Sequence, residues 1–365
     1  MAQLDIVGQR LHNQRIAWSA FAKPEEVVQW LGAVQAQDYA AAKWAIGLRL
    51  PNATDNLIDQ AFAAGTILRT HVMRPTWHFV LPADIRWLLA LTAPRVKASL
   101  AYGNRKSELD EAAFSRSNAV LVKALQGGKQ CTRVELASAL QLAGIATDDL
   151  RLAHIMAYAE LDGIVCSGAR RGKQFTYALL DERVPQTRTC SRDESLAELA
   201  SRYFTSHGPA TLHDFVWWSG LTVSDAKASL VMVASQLTHE VVNDQMYWFA
   251  PSAPSVEVSS PTAYLLPNYD EYIVGYTDRS AVFDAAHTEK LDSRGNVLFT
   301  HTIVLDGQIV GTWKRSINKD TVMLTAHPFA ALNAVEQRAV IIAAERYSAF
   351  HERSMQISNA VAFAD

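Results

Sequence analysis

The sequence predicts an α+β fold: three tandem winged-helix modules followed by a C-terminal β-rich element with a closing helix. Two observations predict it. First, the order helix, helix, helix, two strands recurs along the chain in pattern, though not in residue identity. Second, the C-terminal part changes character, with strand patterns around an Asp-Gly turn and a final long helical stretch. The boundaries read as 1–110 (first winged helix with a following helix), 111–190 (second), 191–252 (third) and 253–365 (the β-rich module).

In the first module, Pro24 opens a helix through Val34, an early position that proline favours. Helices over about Tyr39–Leu50 and Thr54–Ala64 follow, the second stopped by Gly65. Strands Thr66–His71 and Thr76–Leu81 flank Val72–Pro75, and Pro82 starts a helix through Ala93. In the second module Asn118–Leu125 is amphipathic. Thr132, with Glu135 three residues on, forms a capping box for a helix to Leu140. A helix from about Asp148 to Asp162 precedes strands Gly163–Gly168 and Phe175–Leu179, joined by the basic tip Ala169–Gln174. In the third, Leu196–Thr205 is amphipathic, Thr211 with Asp214 caps a helix that ends at Gly220, and Thr222 starts another through about Ser235. Glu240–Asn243 and Met246–Phe249 read as a hairpin around Asp244-Gln245. Pro251–Pro261 is a linker. Beyond it come a buried strand over Thr262–Leu266, strands Phe299–Leu305 and Gln308–Lys314 around Asp306-Gly307, a strand over Val322–Thr325, and a helix over Ala334–Arg353.

Composition excludes several classes. Half of the 365 residues are hydrophobic and a fifth charged, the profile of a globular chain that needs no disulfide or metal staple. No apolar signal core opens the sequence and no run approaches the ~20 apolar residues of a membrane span. Cys131, Cys166 and Cys190 lack metal or redox spacing, so a reduced, cytoplasmic protein with no membrane association is expected. No heptad run offers the dimerisation element a regulator usually needs, and a monomer is expected. The net charge of −3 discourages non-specific nucleic-acid binding, yet the charge is segregated. Arg69–Ser107 carries seven basic residues against Asp84 alone, and Val165–Arg192 six against Asp181 and Glu182. Both stretches surround expected wings, the footprint of a local nucleic-acid face; ordinary solvated side chains are the competing reading.

Three clusters could carry chemistry. Gln35-Ala36-Gln37-Asp38 lies between two helices, and alternation in an extended segment lets both amides face one way. Asp38 suits a helix cap, and a polar loop would account for the glutamines equally well. The second cluster is Arg69-Thr-His71-Val-Met-Arg74-Pro-Thr76-Trp-His78, where His71 and His78 on facing strands could meet and Thr76 and His78 share a face. No further ligand has metal spacing, so no metal is expected. The third runs from Tyr264 to Arg279, with Asn268, Asp270, Glu271 and Asp278 among aromatics; an aromatic domain interface is the alternative. No phosphate loop, dinucleotide fingerprint, nucleophile elbow or zinc motif occurs, so no cofactor is expected.

In this order the clusters resemble the bacterial winged-helix DNA-binding domain-containing proteins that include the AlkZ-type DNA glycosylases. The carriers are Leu31-Gly-Ala-Val-Gln-Ala-Gln-Asp38 followed by Leu48-Arg49, then Met73-Arg-Pro-Thr-Trp-His-Phe-Val80, Leu265-Leu-Pro-Asn-Tyr-Asp-Glu-Tyr-Ile-Val-Gly275 and Val304–Arg315. The resemblance implies three tandem winged helices plus a β-rich element around a concave DNA-binding face. It also implies a bacterial, nucleoid-associated enzyme that removes bulky or crosslinked alkylpurines from double-stranded, damaged DNA. By its Gln-x-Gln motif, Gln35 and Gln37 become the catalytic pair, with Asp38, Thr76, His78 and Asp270 as supporting residues. Arg69, Arg74, Arg170, Arg171, Lys173 and Arg279 become the candidate DNA contacts.

Two amides suit one substrate type. An N7-alkylated purine is already cationic and leaves as a neutral base, so no general acid is required. What remains is to orient a water against an oxocarbenium-like sugar. No lysine stands out as a Schiff-base nucleophile, so a monofunctional glycosylase without a lyase step is expected. A bulky crosslink needs an open groove in place of a base-flipping pocket. A non-catalytic winged-helix DNA binder or transcription regulator, and a protein-interaction scaffold, remain the competing readings.

Overall fold

The computed structural model describes residues 4–148, 150–184, 190–251, 260–291 and 296–357. The first segment comprises α1 (Ile6–Asn13), α2 (Pro24–Leu31), β1 (Val34–Gln35), α3 (Tyr39–Gly47), α4 (Asp55–Ala64), β2 (Leu68–His71), β3 (Trp77–Val80) and α5 (Ile85–Lys106). The second comprises α6 (Glu111–Leu125), β4 (Cys131–Thr132), α7 (Arg133–Leu142), α8 (Arg151–Leu161), β5 (Val165–Ser167), β6 (Thr176–Leu179) and α9 (Leu180–Arg183). The third comprises α10 (Arg192–Ser206), α11 (Leu212–Ser219), α12 (Val223–Val233), β7 (Thr238–Val242) and β8 (Gln245–Phe249). Then come β9 (Ala263–Leu266), α13 (Glu271–Val274), β10 (Thr302–Leu305), β11 (Gln308–Ile317), β12 (Thr321–Pro328), α14 (Ala334–Phe350) and β13 (Ser354–Ile357).

Helices are thus followed by antiparallel strand pairs three times, and a five-stranded sheet, ordered β13-β12-β11-β10-β9, closes the chain. The capping boxes at Thr132/Glu135 and Thr211/Asp214 form as read, and Asp38 caps α3 by accepting from the Ala41 N–H. The Asp306-Gly307 turn has φ of +47° and +84°, the primed geometry that an Asp-Gly pair supplies.

Four differences matter. The helix read through Val34 stops at Leu31, because Gly32 turns the chain at φ +80°. Val34 and Gln35 instead join β3 as a third strand. The helix expected over Pro82–Ala93 starts at Ile85 and continues through Pro94, which lies on its exposed side, to Lys106. The third hairpin turns at Asn243-Asp244, both with positive φ, one residue earlier than read. Finally, β13 adds a parallel edge strand that its mixed, partly polar sequence did not announce. Most of the linker read over Pro251–Pro261 lies outside the described residues, as does Arg188 of the second basic stretch.

The cores do not follow the four segments. Leu109 through Leu179 close a core of their own around Leu121, Leu136 and Ile155. The first segment is divided. Val28, Leu31, Val34, Ile46, Phe62 and Phe79 pack in one core with Leu266, Ile303, Trp313 and Tyr347 of the C-terminal sheet and α14. Leu68, Val72 and Leu88 pack instead with Leu199, Tyr203 and Trp218 of the third segment. The edge bearing Gln35 therefore lies where three segments meet.

Candidate active site

Gly32 ends α2 and Asp38 caps α3, so Gln35-Ala36-Gln37 between them is held as an extended edge. Gln35 pairs with His78 across the β1–β3 ladder, and the Ala36 N–H donates to the Trp77 carbonyl at 2.7 Å. Gln35 is buried and Gln37 exposed. The Gln35 Oε1 accepts from Arg74 Nη2 at 2.9 Å, and the Gln37 Oε1 accepts from the Trp77 N–H at 3.3 Å.

Beneath this edge lies a buried carboxylate, Glu271, which the sequence placed in the third cluster without a role. Glu271 Oε1 accepts from the Gln35 backbone N–H at 3.0 Å. Its Oε2 accepts from Trp218 Nε1 at 2.8 Å and from His207 Nε2 at 3.2 Å. Burial raises the Glu271 carboxyl pKa, but the hydrogen bond and charge of His207, the Arg74 charge and the Gln35 N–H outweigh it and hold it below the usual value. Asp270 sets this residue in place. It accepts from the Tyr272 N–H at 2.9 Å at the head of α13 and takes a bidentate pair from Arg49, both bonds at 2.9 Å. Asp270 and Arg49 are fully buried, so Asp270 supports the site from inside and does not face it.

His78 is also structural. Its Nδ1–H donates to the Thr76 carbonyl at 3.0 Å, which leaves Nε2 to accept from Arg74 Nη2 at 3.3 Å. Burial first and the Arg74 charge second push its pKa down to about 3, so the ring is neutral at physiological pH. Thr76 precedes β3, and its Oγ1 is a buried atom without a partner among the described residues. His71 and His78 do not meet. His71 pairs with Trp77 and His78 with Thr70, which places the two rings on opposite faces of the sheet. His71 Nδ1 bonds Glu160 at 2.6 Å instead. Among the described residues no group of three or more His, Cys, Asp or Glu is placed to hold a metal ion.

The expected DNA contacts divide into two sets. Arg69, Arg74 and Arg279 turn inward. Arg69 donates to the Ala36 carbonyl at 3.0 Å between the rings of Trp77 and Phe175. Arg74 also donates through Nη1 to the Trp218 carbonyl, and burial lowers its pKa against the opposing charge of Glu271. Arg279 donates to the Ile273 and Thr277 carbonyls, and burial brings it down to about 10. The hairpin tip of the second segment, in contrast, stands beside the glutamine edge. Phe175 packs edge-on against Tyr39 at 5.1 Å, and the Arg170 guanidinium lies 4.9 Å from the same ring and 3.8 Å from Asp59. Arg171 reaches Glu135 at 2.7 Å, and Lys173 is exposed.

This arrangement can orient small polar groups at the edge, and neither Glu271 nor His78 offers a proton near neutrality. The profile of the family "DNA glycosylase AlkZ-like" matches residues 28–350. The chain belongs to the AlkZ-like DNA glycosylase family. It is 24% identical over 356 residues to the interstrand DNA cross-link repair glycosylase of Streptomyces sahachiroi, covering 92% of this chain and 94% of that protein. The solved structure of Streptomyces sahachiroi DNA glycosylase AlkZ superposes with a TM-score of 0.76 at 20% identity, covering 97% of this chain and 98% of that one, and so shares the fold. No helix among the described residues is long and apolar enough to cross a membrane.

A signal for Glu271 was present in the sequence. Asp270-Glu271 is followed by Tyr-Ile-Val, and a carboxylate opening an apolar run must be buried and therefore partnered. His207 and Trp218 had no such signal, since their approach depends on how the third segment docks. His301 was also missed. Its buried Nε2 has no partner among the described residues, and burial, helped by Arg315 and opposed by Asp38, brings its pKa down to about 4.

Proposed function

We propose that this chain is a monofunctional DNA glycosylase that hydrolyses the N-glycosidic bond of cationic alkylated purines in duplex DNA, bulky or crosslinked N7 adducts included. Gln35 and Gln37 position the attacking water. The observation that carries this reading is the paired amide edge with no usable acid beside it. Glu271 is held ionised and His78 neutral with a pKa near 3, so neither can protonate a leaving base at neutral pH. An unmodified purine would leave as an anion and needs that proton; a cationic lesion does not. The exposure of Gln37 and the neighbouring hairpin tip favour an open approach for a large adduct, with Arg170, Arg171 and Lys173 against the phosphates. The Streptomyces relative, an interstrand DNA cross-link repair glycosylase, supports the same substrate class. The chain acts as a monomer in this reading.

The test is direct. Duplex DNA carrying N7-methylguanine or a nitrogen-mustard crosslink is incubated with the protein and then heated in alkali. The expected result is strand cleavage at the lesion, absent without the alkali step and lost in the Gln35→Ala/Gln37→Ala double variant. Cleavage no greater than that of the double variant overturns the enzymatic reading. Lesion-independent footprinting in its place would assign a binding role.

A further inference from the structure

We propose that Arg74, with Glu271 anchoring the backbone, sets the polarity of Gln35, so that Gln35 serves the reaction as a hydrogen-bond donor and Gln37 as the acceptor; this rests on the glycosylase reading above. A guanidinium has donors only, so the amide end facing Arg74 at 2.9 Å must be the oxygen. Arg74 is itself fixed, by the Trp218 carbonyl on Nη1 and by His78 Nε2 at 3.3 Å on Nη2. His78 can accept there because its own Nδ1–H is committed to Thr76. The Gln35 backbone cannot shift to present the other end, because its N–H is tied to Glu271 at 3.0 Å. Gln35 Nε2 is left as the free end, with no partner among the described residues.

An NH₂ group can donate to the oxygen of a water but cannot take that water's proton. Gln37 differs. It is exposed, and its Oε1 shares one lone pair with the Trp77 N–H at 3.3 Å, so a second remains to accept. The water oxygen then bonds C1′ as the C1′–N9 bond breaks. N9 keeps the electron pair, which discharges the cationic base. The surplus proton is lost to solvent water, while Gln37 Oε1 accepts the hydrogen bond that aligns the O–H and does not itself take the proton. Gln35 holds the water, and Gln37 aligns the proton that is lost.

Exchanging each amide for a carboxylate gives unequal losses. The assay is single-turnover release of N7-methylguanine from a duplex at about pH 7.5, corrected for spontaneous loss, with duplex affinity measured in parallel. In Gln35→Glu the carboxylate pairs with Arg74, which keeps it ionised, and it offers no donor, so the rate should fall by about 100-fold. In Gln37→Glu the exposed carboxylate, with a pKa of about 4.3, is ionised and still accepts, so the rate should fall far less. Arg74→Met should lose rate and retain duplex affinity, and Arg74→Lys, which keeps one donor, should recover part of the rate. Equal losses in the two glutamate variants, or an undiminished Gln35→Glu, overturn the polarity assignment while leaving the glycosylase reading intact. A wild-type protein that releases no base removes both.

Discussion

Two segments with nearly the same element order are completed in different ways. The second carries a core of its own, Leu109 to Leu179, and reaches the first through Glu160 against His71, Ser167 against Arg69 and the hairpin tip beside Tyr39. The first cannot close alone. Its α2, α3 and β3 share a core with β9, β10 and α14, and the backbone N–H of Gln35 ends on a carboxylate 236 residues further along the chain. The difference locates precision in the molecule. The glutamine edge sits where three segments are packed at once, and the basic residues proposed to meet DNA sit on a hairpin tip carried by one segment.

The largest expected effect separates stability from activity across these two regions. Asp270 and Arg49 are both fully buried, and removing one partner of such a pair costs about 3–5 kcal/mol. Asp270→Ala should therefore lower the thermal unfolding midpoint strongly. It should also slow base release well below that midpoint, since Asp270 heads the helix that presents Glu271. Leu121→Ala, in the self-contained core, should cost a comparable ~2–5 kcal/mol. At low temperature it should leave base release as it was. A Leu121→Ala protein that is folded yet as slow as Asp270→Ala would show that the two regions are not independent.

Much of the frame was legible in the sequence, because its signals are local. Thr132 with Glu135, Thr211 with Asp214, and Asp306-Gly307 each encode a cap or turn within four residues. The strand at Val34-Gln35 was not legible, since two residues cannot show a period and their pairing is decided by β3 some forty positions away. Basic residues near the expected wings could be counted, but charge counts do not show direction. Arg69 and Arg74 point into the protein because carbonyls of Ala36 and Trp218, invisible from spacing, need donors there. Asp270 and Glu271 show the same limit. The cluster was found, but which of two adjacent carboxylates meets Gln35 depends on the cap that Asp270 forms.

A smaller effect tests how dry the first segment's edge is. The folded pKa of His78, about 3, lies far below an unfolded value of about 6.5. The folded state thus binds fewer protons, and the contribution is intact above pH 6.5 and lost progressively as pH falls toward 3. Between pH 6.5 and 5 the loss is roughly 2 kcal/mol. Glu271 does not titrate in that interval, since its pKa is held below the usual carboxylate range. Urea midpoints at pH 7 and pH 5 should therefore converge in His78→Gln relative to wild type. An unchanged gap would mean that the edge admits enough water to protonate the ring in the folded protein.

The smallest effect concerns the hairpin tip and sharpens the comparison from the other side. Lys173 is exposed and has no ion pair among the described residues, whereas Arg171 is tied to Glu135 at 2.7 Å and Arg170 lies against Tyr39. If the tip follows the DNA backbone, Lys173 neutralises about one phosphate. Lys173→Ala should then reduce the slope of log affinity against log salt by about 0.9, equally for damaged and undamaged duplex. Arg74→Lys should leave that slope unchanged, because its cation faces Gln35 and His78 and not solvent. The reverse pattern, a slope altered at Arg74 and untouched at Lys173, would put the phosphates on the inner edge and take the tip out of the DNA interface. Salt titrations of both variants on one labelled duplex decide between the two, since a phosphate contact changes the slope and a misplaced glutamine changes only the rate.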